Sequence, residues 1–153
     1  MAAITFIGST LQINDSGAAF TITGVDADDH AGIQAAADTE VGGVISISEL
    51  GETSEDVNFD LLKGGRKTHV NGVRDIGEIS VTCEFDASDA GQNRIRALSN
   101  TNTTIDVAVT DQDNQVQCFQ GVVANYRITE RTASSYKGCM FAIRGQSALY
   151  YGT

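Results

Sequence analysis

The chain has 153 residues, of which 41% are hydrophobic and 20% charged, and its net charge is −10. A chain of this length typically forms one domain that buries roughly 70% of its unfolded surface, and no apolar run approaches the ~20 residues that cross a bilayer. The first residues, MAAITFIGST, lack the basic start and the cleavage site of a signal peptide. We therefore expect a protein made in a cytoplasm, with nothing in its sequence that directs export.

The charge is unevenly distributed along the chain. Residues 1–62 hold eleven acidic residues and no Lys or Arg, whereas residues 63–153 hold nine acidic and all ten basic residues. A protein that binds nucleic acid needs clustered basic residues to neutralise phosphates and release counterions. The composition therefore argues against specific nucleic-acid binding, and acidity of this kind commonly serves only solubility.

In the first part of the chain the sequence predicts a hairpin followed by a polar connection. Residues 4–13 and 19–25 have the pattern of two strands, joined by turn-forming residues at 14–17. Residues 26–43 are polar and rich in Ala and Gly, which leaves open a helical turn around residues 33–37 or a mobile loop.

The next segments are a third strand and a long charged loop. In residues 44–50 Ile45 and Ile47 alternate with serines, as in a strand with one buried face. Residues 51–76 are charged and punctuated by glycines, and we expect a loop with an extended piece at residues 57–62.

The clearest pattern is a strand followed by a helix. Apolar residues alternate strictly with polar ones, in the order Glu78, Ile79, Ser80, Val81, Thr82, Cys83, Glu84, Phe85. Asp89 is placed to cap a helix, and Gln92 three residues later gives a variant of the capping box. That helix has only about ten residues, too few to persist alone in water. We therefore expect it to pack on the sheet through Ile95 and Leu98.

The remainder of the chain predicts three more strands, at residues 103–110, 116–129 and 136–148, with a bulge or bend at Gly121. The chain has no proline, so no β position loses its amide donor. The predicted fold is a single mostly-β domain over residues 1–153, a β-sandwich or open barrel with one short flanking α-helix.

We find no pattern typical of an enzyme, a metal site or a cofactor site. Gly64-Gly65-Arg66-Lys67-Thr68 approaches a P-loop, but Arg66 stands where that motif needs glycine. Both histidines, His30 and His69, lie in predicted loops without a partner at ligand spacing. The three cysteines are far apart, which predicts buried thiols in a reducing compartment, at Cys83, Cys118 and Cys139.

The block from Asp75 to Leu98 resembles the tail tube (major tail) proteins of long, flexible-tailed bacteriophages, the siphophages. In that family a strand beginning near D-x-G-E-[IV] leads to an acidic D-x-x-D turn and then to a helix with Ala and Gln. The matching positions here are Asp75, Gly77, Glu78, Ile79, Asp86, Asp89, Ala90 and Gln92. The likeness extends more loosely over most of the chain.

The resemblance implies a structural virion protein. Hexameric rings would stack into the hollow tail tube that conducts genomic DNA into the host, after assembly in the host cytoplasm. Sheets of neighbouring subunits would join into one closed barrel, which satisfies their open edges. The implied partners are copies of the chain and the tape measure, tail tip and tail terminator proteins. DNA would pass through without specific binding, and no membrane is involved.

The resemblance also implies roles for two sets of residues. The loop at 51–76 would reach the adjacent ring, and its charged side chains would fix the register between rings. These side chains are Lys63, Arg66, Lys67, Arg74 and Asp60. The polar strand faces would line the lumen, although alternation alone also allows them to point outward. The candidate lumen residues are Glu78, Ser80, Thr82, Glu84 and Asp106.

Two other functions remain open at this stage. One is the tube of a bacterial contractile secretion system, which shares the ring-forming fold. The other is a small β-sandwich that binds carbohydrate or protein, although such modules usually display aromatic platforms and this chain has no Trp.

Overall fold

The computed structural model describes residues 7–14, 18–129 and 131–152. Across these residues the chain forms β1 (Thr10–Ile13), α1 (Asp26–Ala36), β2 (Thr39–Val41), β3 (Val44–Ile47), β4 (Thr53–Asp60), β5 (Lys67–Asp75), β6 (Glu78–Glu84), α2 (Ala90–Leu98), β7 (Ile105–Thr110), β8 (Val116–Ile128), β9 (Gly138–Gly145) and β10 (Tyr150–Gly152). The predicted mostly-β class is confirmed. The prediction of one helix is wrong, since the structure has two.

The main sheet is antiparallel and curls towards closure. Its strand order is β2-β1-β7-β8-β9-β6-β3, and β10 pairs with β8. The two ends of this order, β2 and β3, are separated in the chain only by Gly42 and Gly43. The first half of this segment pairs with β1 and the second half pairs with β6. Gly43 has a φ of 70°, and a Cβ there would lie 2.8 Å from the Glu84 carbonyl oxygen. We call Gly42 and Gly43 the glycine corner. Because the chain turns there from one end of the sheet to the other, the sheet forms an open barrel.

The principal hydrophobic core lies inside this curled sheet. Its members are buried apolar side chains of β1, β2, β6–β9 and α2, with Phe119 the largest of those that are almost fully buried. The predicted buried face of β6 is confirmed at Ile79, Val81 and Cys83. All three cysteines are buried free thiols, as predicted, and burial raises the pKa of Cys83 and of Cys118 to about 12.

Helix α2 closes over this core beside the glycine corner. Its predicted cap is confirmed, because the Asp89 carboxylate accepts a hydrogen bond from the Gln92 amide at 2.9 Å. The Gln92 side chain does not accept a hydrogen bond from the Asp89 amide, as it would in a capping box. It accepts from the Asp86 amide at 2.9 Å and donates to the carbonyls of Gly42 and Glu84, both at 2.7 Å. The two residues predicted to pack on the sheet, Ile95 and Leu98, are both in the core.

Helix α1 replaces the predicted loop or single helical turn. Its sequence, DADDHAGIQAA, has no broad apolar stripe, so periodicity does not indicate a helix there. Three acids in its first turn interact favourably with the helix dipole. Ile33 packs on the outer face of the sheet against Ala108 and Cys118, and this second, smaller core stabilises the helix.

Two further predictions are corrected. Residues 19–25 are not a strand but an irregular segment that passes over the sheet, while residues 4–6 and 15–17 of the predicted hairpin lie outside the described residues. The irregularity in β8 lies between Ala124 and Arg127, where Asn125 has a φ of 58°, and not at Gly121. Gly121 is needed for close packing, because a Cβ there would lie 2.6 Å from the Arg144 carbonyl oxygen.

The buried carboxylate of Asp29 ties α1 to the segment before it. It accepts from the Thr23 amide at 2.7 Å, the Thr23 hydroxyl at 2.8 Å and the Gly24 amide at 3.0 Å. These bonds, led by that of the Thr23 amide, hold the pKa of Asp29 below its ordinary value of 3.8. Because the folded-state pKa is depressed, the stabilisation is complete above the ordinary value and is lost as the pH falls through the folded one.

We therefore expect Asp29→Asn to destabilise the protein clearly near pH 7 and less near pH 3, because the carboxylate of the unfolded chain, with its ordinary pKa of 3.8, is mostly protonated there and part of the stabilisation is lost. Urea unfolding at both pH values measures this difference. The matched control is Asp28→Asn, at the exposed neighbouring position, which should change stability little at either pH. An equal loss for Asp29→Asn at both pH values would contradict this account.

Candidate assembly surfaces

Residues 51–76, predicted as a loop, form a projecting hairpin. Strands β4 and β5 pair from Thr53 opposite Asp75 to Asp60 opposite Lys67, as a separate two-stranded sheet. All eight residues of β4 are exposed. No residue of either strand belongs to the two hydrophobic cores of the described chain. The hairpin therefore owes its shape to its own pairing and its base.

The hairpin has one apolar and one polar face. Val57 lies opposite Val70 and Phe59 opposite Thr68, and residues opposite each other in a sheet share a face. Val57, Phe59 and Val70 are 47–49% exposed, and a fourth apolar side chain of the strands, Val73, is 70% exposed beside the register shift. On the other face, Asp56 and His69 pair at 3.0 Å. An apolar face on a solvated projection is the kind of surface that contacts another surface.

The residues predicted to contact an adjacent ring are divided between the tip and the base of the hairpin. The turn is closed by a 3.1 Å bond from the Leu61 amide to the Arg66 carbonyl, and Gly64 and Gly65 adopt positive φ. Lys63, Arg66 and Lys67 are all exposed around this turn, with Asp60 opposite Lys67. These four charges form the hairpin tip.

Arg74 lies instead at the base, 3.8 Å from Glu52. The Glu52 carboxylate also accepts the Leu149 amide at 2.6 Å. Glu52 therefore links the hairpin to the segment between β9 and β10, and Arg74 belongs to this link rather than to the tip.

A groove opens beside β3, where the chain has passed from pairing with β1 to pairing with β6. It has a volume of about 730 Å³ and is lined by Ser9, residues 44–50, Val109, Asp111 and Gln117. Among the described residues β3 pairs only with β6 and ends the strand order of the sheet, so the edge that it does not share with β6 lies at this groove. Ile45 is 56% exposed there. We call this surface the seam groove.

Four of the five predicted lumen residues lie on one face of β6, directed away from the core. Glu78, Ser80 and Glu84 are exposed and Thr82 is half-buried. Glu78 forms an ion pair with Arg144 on β9 at 3.1 Å, so this face is less acidic than its sequence suggests.

The prediction that Asp106 lines the lumen is wrong, because Asp106 is completely buried and lies on no surface. Its carboxylate accepts the Phe20 amide and the Gln120 side-chain amide, both at 2.9 Å. Alternation misassigned it because α1 and the segment before it cover the outer face of β7, so both faces of that strand are buried.

Neither histidine lies in a loop, contrary to the prediction. His30 is a buried residue of α1 whose Nε2 lies 3.2 Å from the Val116 carbonyl oxygen, and His69 belongs to β5. Over the described ranges, no group of three or more His, Cys, Asp or Glu residues is placed to hold a metal ion. No helix among those residues is both long and apolar enough to cross a membrane.

No protein-family model and no curated protein sequence matches the chain. Solved structures do match it. A chain from the C6-symmetric tail of an empty gene transfer agent particle superposes with a TM-score of 0.61 and 15% identity, covering 74% of this chain and 85% of that chain.

Extracellular contractile injection systems give two longer matches. A chain from the extended PVC sheath–tube complex superposes with a TM-score of 0.65 and 8% identity, covering 99% of this chain and 92% of that chain. A chain from the PVC sheath/tube terminator gives 0.68 and 7%, covering 100% and 99%. The chain has the tail tube fold.

This fold explains the organisation described above. The chains that share this fold come from a gene transfer agent tail and from contractile injection systems. Identities of 7–15% mean that the fold is shared while almost every side chain differs. The particular contacts of this chain therefore depend on its own surface residues.

Proposed function

We propose that the chain is a tail tube subunit of a siphophage virion, in which hexameric rings stack into a hollow tube that conducts DNA into the host. The observation that carries this proposal is the tail tube fold, matched over 74–100% of the chain in two kinds of tube-bearing particle. The outer edge of β3 and the projecting hairpin add support, since neither packs on another element within residues 7–14, 18–129 and 131–152.

Ring closure would use the sheet edges. Edge strands leave amides and carbonyls unpaired, and pairing between subunits satisfies them while closing one barrel around the channel. The exposed face of β6 would line that channel. Its hydroxyls at Ser80 and Thr82, its acid at Glu84 and the neutralised Glu78 offer DNA phosphates no cluster of cations to bind.

Stacking would use the hairpin. Its charged tip, with Lys63, Arg66, Lys67 and Asp60, would reach the adjacent ring, while Arg74 holds the base through Glu52. Like charges on mismatched surfaces repel, so such a tip also favours one register between rings. At its ends the tube would meet the tail tip and terminator proteins, and during assembly the tape measure protein.

A contractile injection system is the second candidate, because its chains match 99–100% of this chain whereas the gene transfer agent chain matches 74%. A tube of that kind would be enclosed in a sheath, as in the sheath–tube complex. Electron microscopy of particles released from the host distinguishes the two. A bare tube joined to a DNA-filled head supports the phage tail, and a sheathed tube supports the injection system.

We expect the purified chain at high concentration to form six-fold rings or hollow tubes. Negative-stain electron microscopy and sedimentation velocity test this directly. Because a subunit without a nucleus can stay monomeric, the same measurement is made with the tail tip complex added. A chain that stays monomeric in both conditions would contradict the proposal and favour a binding module.

A further inference from the structure

Two surfaces are left open by the part of the chain that the structure describes, the apolar face of the hairpin and the seam groove. We propose that the apolar hairpin face of one copy binds in the seam groove of a second copy. This inference rests on the proposed function, since it names the surface that receives the hairpin between subunits.

The two surfaces match in size and in chemistry. β4 has eight residues and spans about 26 Å, and the groove strand at residues 44–50 spans about 23 Å. The groove volume of about 730 Å³ lies within the roughly 300–1,000 Å³ of sites that enclose a drug-sized ligand. It therefore has room for Phe59 with Val57 and Val70. The exposed Ile45 offers them an apolar contact, and Val44 and Ile47, which also pack against the core, line the groove beside it.

Charge complementarity gives the contact its partner and direction. The hairpin tip carries the cations Lys63, Arg66 and Lys67, whereas the groove is bordered by the acids Glu49 and Asp111. Ser9 fixes Asp111 with a 3.1 Å hydrogen bond. A basic tip beside an acidic border attracts during encounter and disfavours the reversed orientation. A second copy of this chain supplies both the charges and the apolar face that the groove requires.

The contact is heterologous, because the hairpin and the groove are different surfaces. Each copy that donates a hairpin keeps its own groove free for another copy. Contacts of this kind form a ring when the rotation between copies closes and an extended assembly when it does not. A hairpin that binds a copy in the next ring gives the second case, so that rings can stack without a fixed limit.

Cross-linking between copies tests the contact itself. A Phe59→Cys chain is mixed with an Ile45→Cys chain at assembling concentration and treated with a short bismaleimide, and the three native thiols are buried. We expect cross-linked dimers from this mixture. The matched control replaces Phe59→Cys by Asn58→Cys, one residue along β4 on the opposite face, and should give at least about tenfold fewer dimers, because adjacent side chains of a strand point in opposite directions.

Assembly of charged variants gives the second readout. Phe59→Asp should raise the concentration needed for stacking at least about tenfold, since an apolar contact is lost, while Asn58→Asp should leave it unchanged. Equal dimer yields from the Phe59→Cys and Asn58→Cys mixtures, or normal stacking by Phe59→Asp, would overturn the inference while wild-type tubes keep the proposed function intact. Absence of wild-type rings would overturn the proposed function, and the cross-linking result still decides the contact.

Discussion

Replacing Gln92 by Leu is expected to lower the free energy of unfolding by about 3–5 kcal/mol, because the three hydrogen bonds of this buried side chain to Asp86, Gly42 and Glu84 are lost. Gln92 is 3% exposed, and its side-chain amide donates to the carbonyls of Gly42 and Glu84 at 2.7 Å while accepting from the Asp86 amide at 2.9 Å. Leu preserves most of the volume, so the loss reports hydrogen bonding rather than a cavity. Urea unfolding followed by circular dichroism measures it.

The neighbouring Asn93→Leu is the control for Gln92→Leu. Asn93 is partly exposed and its side chain donates one bond, to the Ala87 carbonyl at 3.0 Å, so we expect a change within about 1 kcal/mol. Because Gln92 binds the glycine corner between β2 and β3, its replacement should also impair ring formation below the unfolding transition. A loss under about 1 kcal/mol for Gln92→Leu would contradict the assigned role.

Asp106→Ala is the second substitution with a large expected effect, a loss of about 3 kcal/mol. Hydrogen bonds to charged groups contribute about 1.5–3 kcal/mol each, and the Asp106 carboxylate accepts two, from Phe20 and Gln120. Residues 18–25 should then detach from the sheet. Urea unfolding gives the loss of stability, and amide hydrogen exchange should accelerate over residues 18–25.

The control for Asp106→Ala is Glu84→Ala on the exposed face of β6, which should stay within about 0.5 kcal/mol of wild type. Comparison of the two variants distinguishes a carboxylate that stabilises the fold from one that is only exposed on the surface. Wild-type stability of Asp106→Ala together with altered DNA passage would restore the channel role that the sequence predicts for Asp106.

The sequence predicts best those elements that bury one side only. β6 and α2 each have one buried face, so alternation and the cap at Asp89 locate them closely. α1 escapes prediction because its apolar contact is confined to Ile33 and Ala37. β7 is misjudged at Asp106 because a covered outer face has no signal in the strand itself.

The candidate surfaces depend on long-range geometry, which local patterns do not contain. The hairpin shows only a short alternation at Val57 and Phe59, since a projection without a core has no burial pattern to impose. The seam groove arises where the chain turns at Gly42 and Gly43 from one strand partner to another, and Asp111 on its border is distant in sequence. The family resemblance indicates the type of assembly but not this surface.

The way the hairpin is attached has a mechanical consequence. Its two strands leave the body side by side, steadied at the base by the Glu52 link to Leu149 and Arg74, with no apolar packing onto the main core. In a tube of such subunits, the stiff unit is the barrel and the compliant unit is the joint between successive layers. Bending is then shared as small tilts over many joints, while the bore within each layer keeps its width.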